Sequence, residues 1–176
     1  MSRINRRIIF LGSGAAAALG VPCVALAQTM VEIEMRGTAR GEQIWFEPQG
    51  LAVDPGTTLR FTNRDPGNSH TATAYHPELF GRRRRIPASA RPWDSDFLLP
   101  NESFEVTLTV PGVYDFYCLP HEMAAMVGRI VVGTPLHVGW EGPSSDRDDI
   151  SADVLAALPA VDAILANGVI HAESKP

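Results

Sequence analysis

From residue 30 onward, apolar and polar positions alternate in short runs broken by turn residues. Val31, Ile33 and Met35 face one way and Glu32 and Glu34 the other, the period-two signature of a half-buried strand. Residues 103–110 repeat the pattern, with Phe104, Val106, Leu108 and Val110 on one face. Further β-prone runs cover residues 44–46, 51–53, 58–62, 69–75, 113–118 and 127–132, divided by turn signals such as Asp54-Pro55-Gly56 and Pro111-Gly112. About seven or eight short strands at such spacing predict an all-β Greek-key β-sandwich. Between residues 28 and 133 the sequence has no helix-length amphipathic pattern and no internal repeat.

After residue 133 the period changes. Val154, Leu155, Leu158, Val161, Ile164 and Leu165 recur at helical spacing, with Ser151 as N-cap and Asn167-Gly168 as the stop. Pro159 predicts a split into two short helices. Residues 134–176 are therefore read as a short α-helical C-terminal extension, acidic in composition, whose apolar stripe packs on its own domain. Residues 77–100 form a long loop with four prolines and the run Arg82-Arg83-Arg84-Arg85. That run has two readings: a solvated charge cluster, or a patch that steers an acidic partner.

The first 27 residues have a different logic. Arg3, Arg6 and Arg7 lead into an Ala/Gly-rich apolar stretch, no acidic residue precedes Glu32, and Ala25-Leu26-Ala27 fits a cleavage site. Residues 1–27 are read as a cleaved export signal, and 28–133 as the folded domain. The run Asn5-Arg6-Arg7-Ile8-Ile9-Phe10-Leu11 resembles a twin-arginine signal, with a Sec signal as the alternative. The expected location is the bacterial periplasm or the cell-envelope exterior, without membrane contact after cleavage.

Cleavage changes the charge and the cysteine count. Of 15 Lys+Arg, three leave, so 12 face 20 Asp+Glu for a net charge of −8. So acidic a chain is a poor nucleic-acid binder. Cys23 also leaves, and Cys118 stands alone. A lone thiol in an oxidising compartment calls for burial, an intermolecular partner or a metal.

The chemistry concentrates in Tyr117-Cys118-Leu119-Pro120-His121-Glu122-Met123-Ala124-Ala125-Met126-Val127-Gly128. A thiolate, an imidazole and a thioether follow a strand end closely enough to converge on one ion. Soft sulfur with imidazole selects copper, and two His, one Cys and a long axial Met make the blue-copper set. A second histidine must come from elsewhere. His70 and His76 compete; on one strand they would lie about 20 Å apart, so they cannot share an ion. Position favours His70, which follows the turn-rich loop at residues 63–68, over His76, which leads into Pro77. Taken singly, Cys118 reads as a buried thiol, Met123 and Met126 as core filler and His121 as a surface residue.

With these motifs, over about residues 29–133, the sequence resembles the cupredoxins, in particular the plastocyanin, halocyanin and pseudoazurin branch. The Cys-x-Pro-His-x4-Met core with Val127-Gly128 carries the resemblance, together with Asn68-Ser69-His70-Thr71, Leu99-Pro100-Asn101-Glu102-Ser103-Phe104 and residues 110–118. It implies one type 1 copper ion cycling between Cu(II) and Cu(I). His70, Cys118 and His121 would be the strong ligands and Met126 the weak axial one. His121 would be the electron port at the rim, with Tyr117 on a more remote route. It further implies a monomeric electron carrier rather than an enzyme, with transient protein redox partners. Three departures stand out. Thr71 replaces the Asn usual in plastocyanins, Ala125 replaces a common Gly, and Met123 is a second thioether at an offset that matches neither plastocyanin nor amicyanin. A copper-delivery protein is the alternative, but it would want a Met- or His-rich tract, and the mature chain has four Met and none. A copper enzyme would need further histidine sites; His76, His137 and His171 are scattered. A Cu(A) centre needs two cysteines.

Overall fold

The computed structural model describes residues 29–38, 40–41 and 43–172; the expected export signal lies outside the described residues. Among these residues nine strands form two sheets. β1 (Met30–Gly37), β2 (Ile44–Glu47), β4 (Thr57–Asn63) and β6 (Ser103–Leu108) make one sheet in the order β2-β1-β4-β6. β3 (Gly50–Val53), β5 (Thr73–Ala74), β7 (Gly112–Tyr117), β8 (Val127–Val132) and β9 (Val169–Ile170) make the other in the order β5-β7-β8-β3-β9. The chain changes sheet at every link from β2 to β7, which brings β1 beside β4 and β3 beside β8 as parallel pairs in an otherwise antiparallel structure. This is the sandwich that the alternating pattern predicts.

The inner faces close on an aromatic cluster. Phe46, Phe61 and Phe116 are fully buried, with ring centroids 4.7 to 6.4 Å apart in edge-on contacts. Such pairs add about 0.5–1.5 kcal/mol each beyond area burial. Phe116 lies directly across from Gly128, where a Cβ would sit 2.3 Å from its ring. The glycine leaves room for the Phe116 ring against β8.

The outer face of β7 and β8 departs from simple alternation, since every residue of both strands is buried. The extension and the loop at 77–100 cover it. α1 (Ala152–Ala157) sets Val154 against Tyr75, Tyr117 and Val127, and α2 (Val161–Asn167) sets Ile164 against Val113 and Val131. Ser151 caps α1 by accepting from the Val154 N–H, and Pro159 falls between the helices. The strand β9, which pairs with β3, has no signal in the sequence pattern.

Two expectations need correction. Residues 69–75 form only the two-residue strand β5. Around it, His70 and Thr73 make single bridges to Leu98 and Asp94 on the returning loop, so no continuous ladder forms. The run Arg82–Arg85 is neither free solvated charge nor an open steering patch. Arg82 pairs with Glu122 and Asp149, Arg83 with Asp146 and Asp148, Arg84 with Glu141, and Arg85 with Asp115. Most of these acids belong to the extension, so the basic run and the acidic tail neutralise each other and hold the tail down.

Candidate metal centre

The site forms at one end of the sandwich, where three segments meet. Cys118 directly follows β7. The 3-10 helix Leu119–Ala124, started by Pro120, carries His121, and the chain then turns back through Met126 into β8. Sequence periodicity does not show this helix; its six residues are too few for an apolar stripe. The turn is closed by backbone bonds: the Cys118 N–H donates to Met126 O at 3.0 Å, and the Met126 N–H to His121 O at 3.2 Å. Ala125 makes the reversal in the left-handed region at φ 61° and ψ 29°. It occupies the position where the family commonly has glycine, the residue that tolerates this conformation best.

The third segment brings His70. Its Nδ1 lies 3.6 Å from Cys118 Sγ and 3.1 Å from His121 Nδ1, and the His121 Nδ1 lies 3.4 Å from the sulfur. One donor atom from each residue thus falls within 4.8 Å of the others. His70, Cys118 and Met126 are fully buried, while His121 is half-buried and opens the site to the surface. Met126 shares an apolar cluster with Cys118. Met123 points away and is 81% exposed, which removes it from the site. His76 is also elsewhere: its Nδ1 accepts from the Glu78 N–H.

With no cation bound, burial favours the neutral forms of Cys118 and His121. Burial pushes the Cys118 thiol up to about 11 when no cation is present. A bound metal ion reverses that preference and holds the sulfur as thiolate. The Thr71 N–H already donates to Sγ at 3.3 Å. Burial, helped by the nearby His70, holds His121 below the usual imidazole range, so its ring nitrogen is free to bind. Thr71 ties the loops together. Its Oγ1 accepts from the Leu119 N–H at 2.8 Å and donates to Thr73 Oγ1, which donates to Asp94.

Two groups at the site escape sequence reading. Asp65 is fully buried, and its Oδ2 lies 3.0 Å from His70 Nε2. Burial alone would raise its carboxyl, but bonds from Asn68, Gly67 and His70 outweigh that and hold it below the usual range. Arg82 forks onto Glu122 at 2.6 and 2.7 Å, with its guanidinium 5.0 Å from the stacked rings of Tyr75 and Tyr117. Nothing in the spacing of either residue marks it beyond its place in a turn-rich or basic segment.

A buried thiol, two converging imidazoles and a buried thioether at one end of a two-sheet sandwich define a type 1 copper protein. The sequence pattern of the copper binding proteins, plastocyanin/azurin family, matches residues 33–133, and the chain belongs to that family. It is 31% identical to the chloroplastic plastocyanin of Hordeum vulgare, covering 74% of this chain and 85% of the relative. The chloroplastic plastocyanin of Oryza sativa subsp. indica is 33% identical, covering 74% of this chain and 82% of the relative. Among solved structures, a pseudoazurin from Sinorhizobium meliltoi aligns at 33% identity and a TM-score of 0.49, over 62% of this chain and 77% of that one. The chain is a blue copper electron-transfer protein, a carrier and not an enzyme, and it serves redox partners.

Proposed function

We propose that His70, Cys118, His121 and Met126 hold one copper ion and that electrons enter and leave at the His121 rim. The observation that carries this reading is the convergence of the His70, Cys118 and His121 donor atoms within 4.8 Å of one another, with His70 and Cys118 fully buried. Bound there, copper supplies a one-electron couple between Cu(II) and Cu(I). The protein's part is to keep the donors fixed. His70 is held from behind by Asp65, Cys118 by the Thr71 N–H, and the His121–Met126 loop by its own backbone bonds. A frame that does not rearrange keeps the cost of each transfer small.

Half-buried His121 is the one donor with access to solvent among the four, and exposed Met123 follows it by two residues. A partner would dock there through a small, short-lived contact. We place the mature protein, from residue 28, as a monomer in the bacterial periplasm or at the cell-envelope exterior, with 28–133 as the copper domain and 134–176 as its extension. Among the described residues no helix is long and apolar enough to cross a membrane. The test is the visible spectrum of residues 28–176 with added Cu(II). An intense thiolate-to-copper band is expected, bleached by reduction and absent in Cys118→Ser. A colourless wild-type protein that still binds copper would sink the reading.

A further inference from the structure

Behind His70, on the side away from the sulfur, lies a carboxylate built into the fold. Asp65 sits in the loop after β4 and is fully buried. Its Oδ1 accepts from the Gly67 N–H at 2.8 Å, and its Oδ2 accepts from Asn68 Nδ2 at 2.8 Å and faces His70 Nε2 at 3.0 Å. Its own N–H donates to Asn63 Oδ1, and Asn63 reaches on to the carbonyls of Asn68 and Leu98, the latter paired with His70 through the backbone. Room for the carboxylate comes from Gly37 at the end of β1, where a Cβ would sit 2.0 Å from Oδ2. No guanidinium or ammonium pairs with Asp65 among the described residues; its one ionic contact is His70.

We propose that Asp65 is a positioning residue that fixes His70 as the Nε2–H tautomer, with Nδ1 free to bind the metal, and biases the site toward the oxidised ion. An ionised carboxylate only accepts hydrogen bonds, so the imidazole must present its proton at Nε2. A histidine whose far nitrogen donates to a carboxylate is oriented and made more basic. The oxidised site carries one more positive charge than the reduced one, and a buried negative charge one ring away favours it. Gly37, Asn63 and Asn68 then form the frame that keeps that charge in place.

The inference rests on His70 being a ligand, so the experiment separates the two. In metal-free wild-type protein, nitrogen NMR of the His70 ring should find the proton on Nε2. A proton on Nδ1 would overturn the proposal with no variant needed. Asp65→Asn keeps an acceptor oxygen and removes the charge. Its Cu(II)-over-Cu(I) preference should fall by roughly tenfold, which is about 59 mV upward in potential. Gly37→Ala keeps the charge but pushes the carboxylate off His70, and should move the potential the same way by less. Folded, blue Asp65→Asn and Gly37→Ala proteins with the wild-type potential would overturn the proposal. Should Asp65→Asn fail to fold, Gly37→Ala decides. A wild-type protein that shows no blue band would sink the ligand assignment instead, while the metal-free NMR still judges the role of Asp65.

Discussion

Among the described residues two carboxylates are fully buried, at two regions that use them in opposite ways. Asp115 lies on the outer face of β7. Arg129, its cross-strand neighbour on β8, reaches it at 2.6 and 3.0 Å, and Arg85 at 2.9 Å. Each arginine also donates to a carbonyl of the extension, Arg85 to Asp146 and Arg129 to Pro159. Asp115 is thus the centre of a knot that joins sheet, loop and tail, with its charge answered twice. Asp65 has no such cation among the described residues, and its ionic contact there is a histidine that faces the copper site. Burial by itself therefore does not tell a functional carboxylate from a structural one. The difference lies in where the compensating charge comes from: fixed guanidinium groups at Asp115, the site itself at Asp65.

The largest expected effect tests the structural side. Asp115→Ala would leave two buried guanidinium groups without their partner, a change that costs about 3–5 kcal/mol. Urea unfolding of the metal-free protein should show it. The visible band of the folded fraction should keep its position, because Asp115 points to the outer face while Cys118 joins the inner core. A shifted band would mean that the knot also shapes the copper site and would break the comparison.

The same division explains what was legible in the sequence. Strands with one wet face, such as β1 and β6, announce themselves by alternation, and the Cys118–Met126 cluster by spacing on a single loop. Both depend on residues close in the chain. The rest depends on contacts between distant residues. Val113, Asp115 and Tyr117 form the outer row of β7, and the loop at 77–100 and the extension, both distant in the chain, make them interior. Arg82–Arg85 looked like surface charge because their acids come from residues 115, 122 and 141–149. His70 was identifiable by its position at the end of a turn-rich loop. Asp65 was not, since its place behind the ring depends on Gly37 and Asn68 together.

A smaller effect probes the seam between the two regions. Arg82 links Glu122, beside His121, to Asp149 of the extension. Burial pushes the Asp149 carboxyl up, but bonds from the Arg83 N–H and from Arg82 more than offset it, so its folded value is lowered. A depressed carboxylate stabilises the fold above its unfolded value, near pH 3.9, and loses that contribution as pH falls through the folded one. Asp149→Asn should therefore cost about 1 kcal/mol at neutral pH. The gap to wild type should hold down to about pH 4 and close below it. Stability curves of the two proteins against pH check this. A gap that stays constant in acid would mean that Asp149 acts through packing rather than charge.

The smallest effect belongs to the copper loop and has the opposite sign. Ala125 holds a left-handed conformation at φ 61° between His121 and Met126. For an L-residue that conformation costs about 1–2 kcal/mol, which glycine avoids. Glycine in turn gives the unfolded chain more freedom, at a cost of about 0.4–1 kcal/mol. The methyl is only partly buried, so little packing is lost. Ala125→Gly should then stabilise the metal-free protein by about 0.5 kcal/mol, read as a higher urea midpoint with an unchanged slope. Its reduction potential should stay at the wild-type value, since the backbone bonds that close the loop do not involve the side chain. A lower midpoint would show that the alanine stiffens the loop more than it strains it, and that the copper end, like the Asp115 knot, is held by more than local geometry.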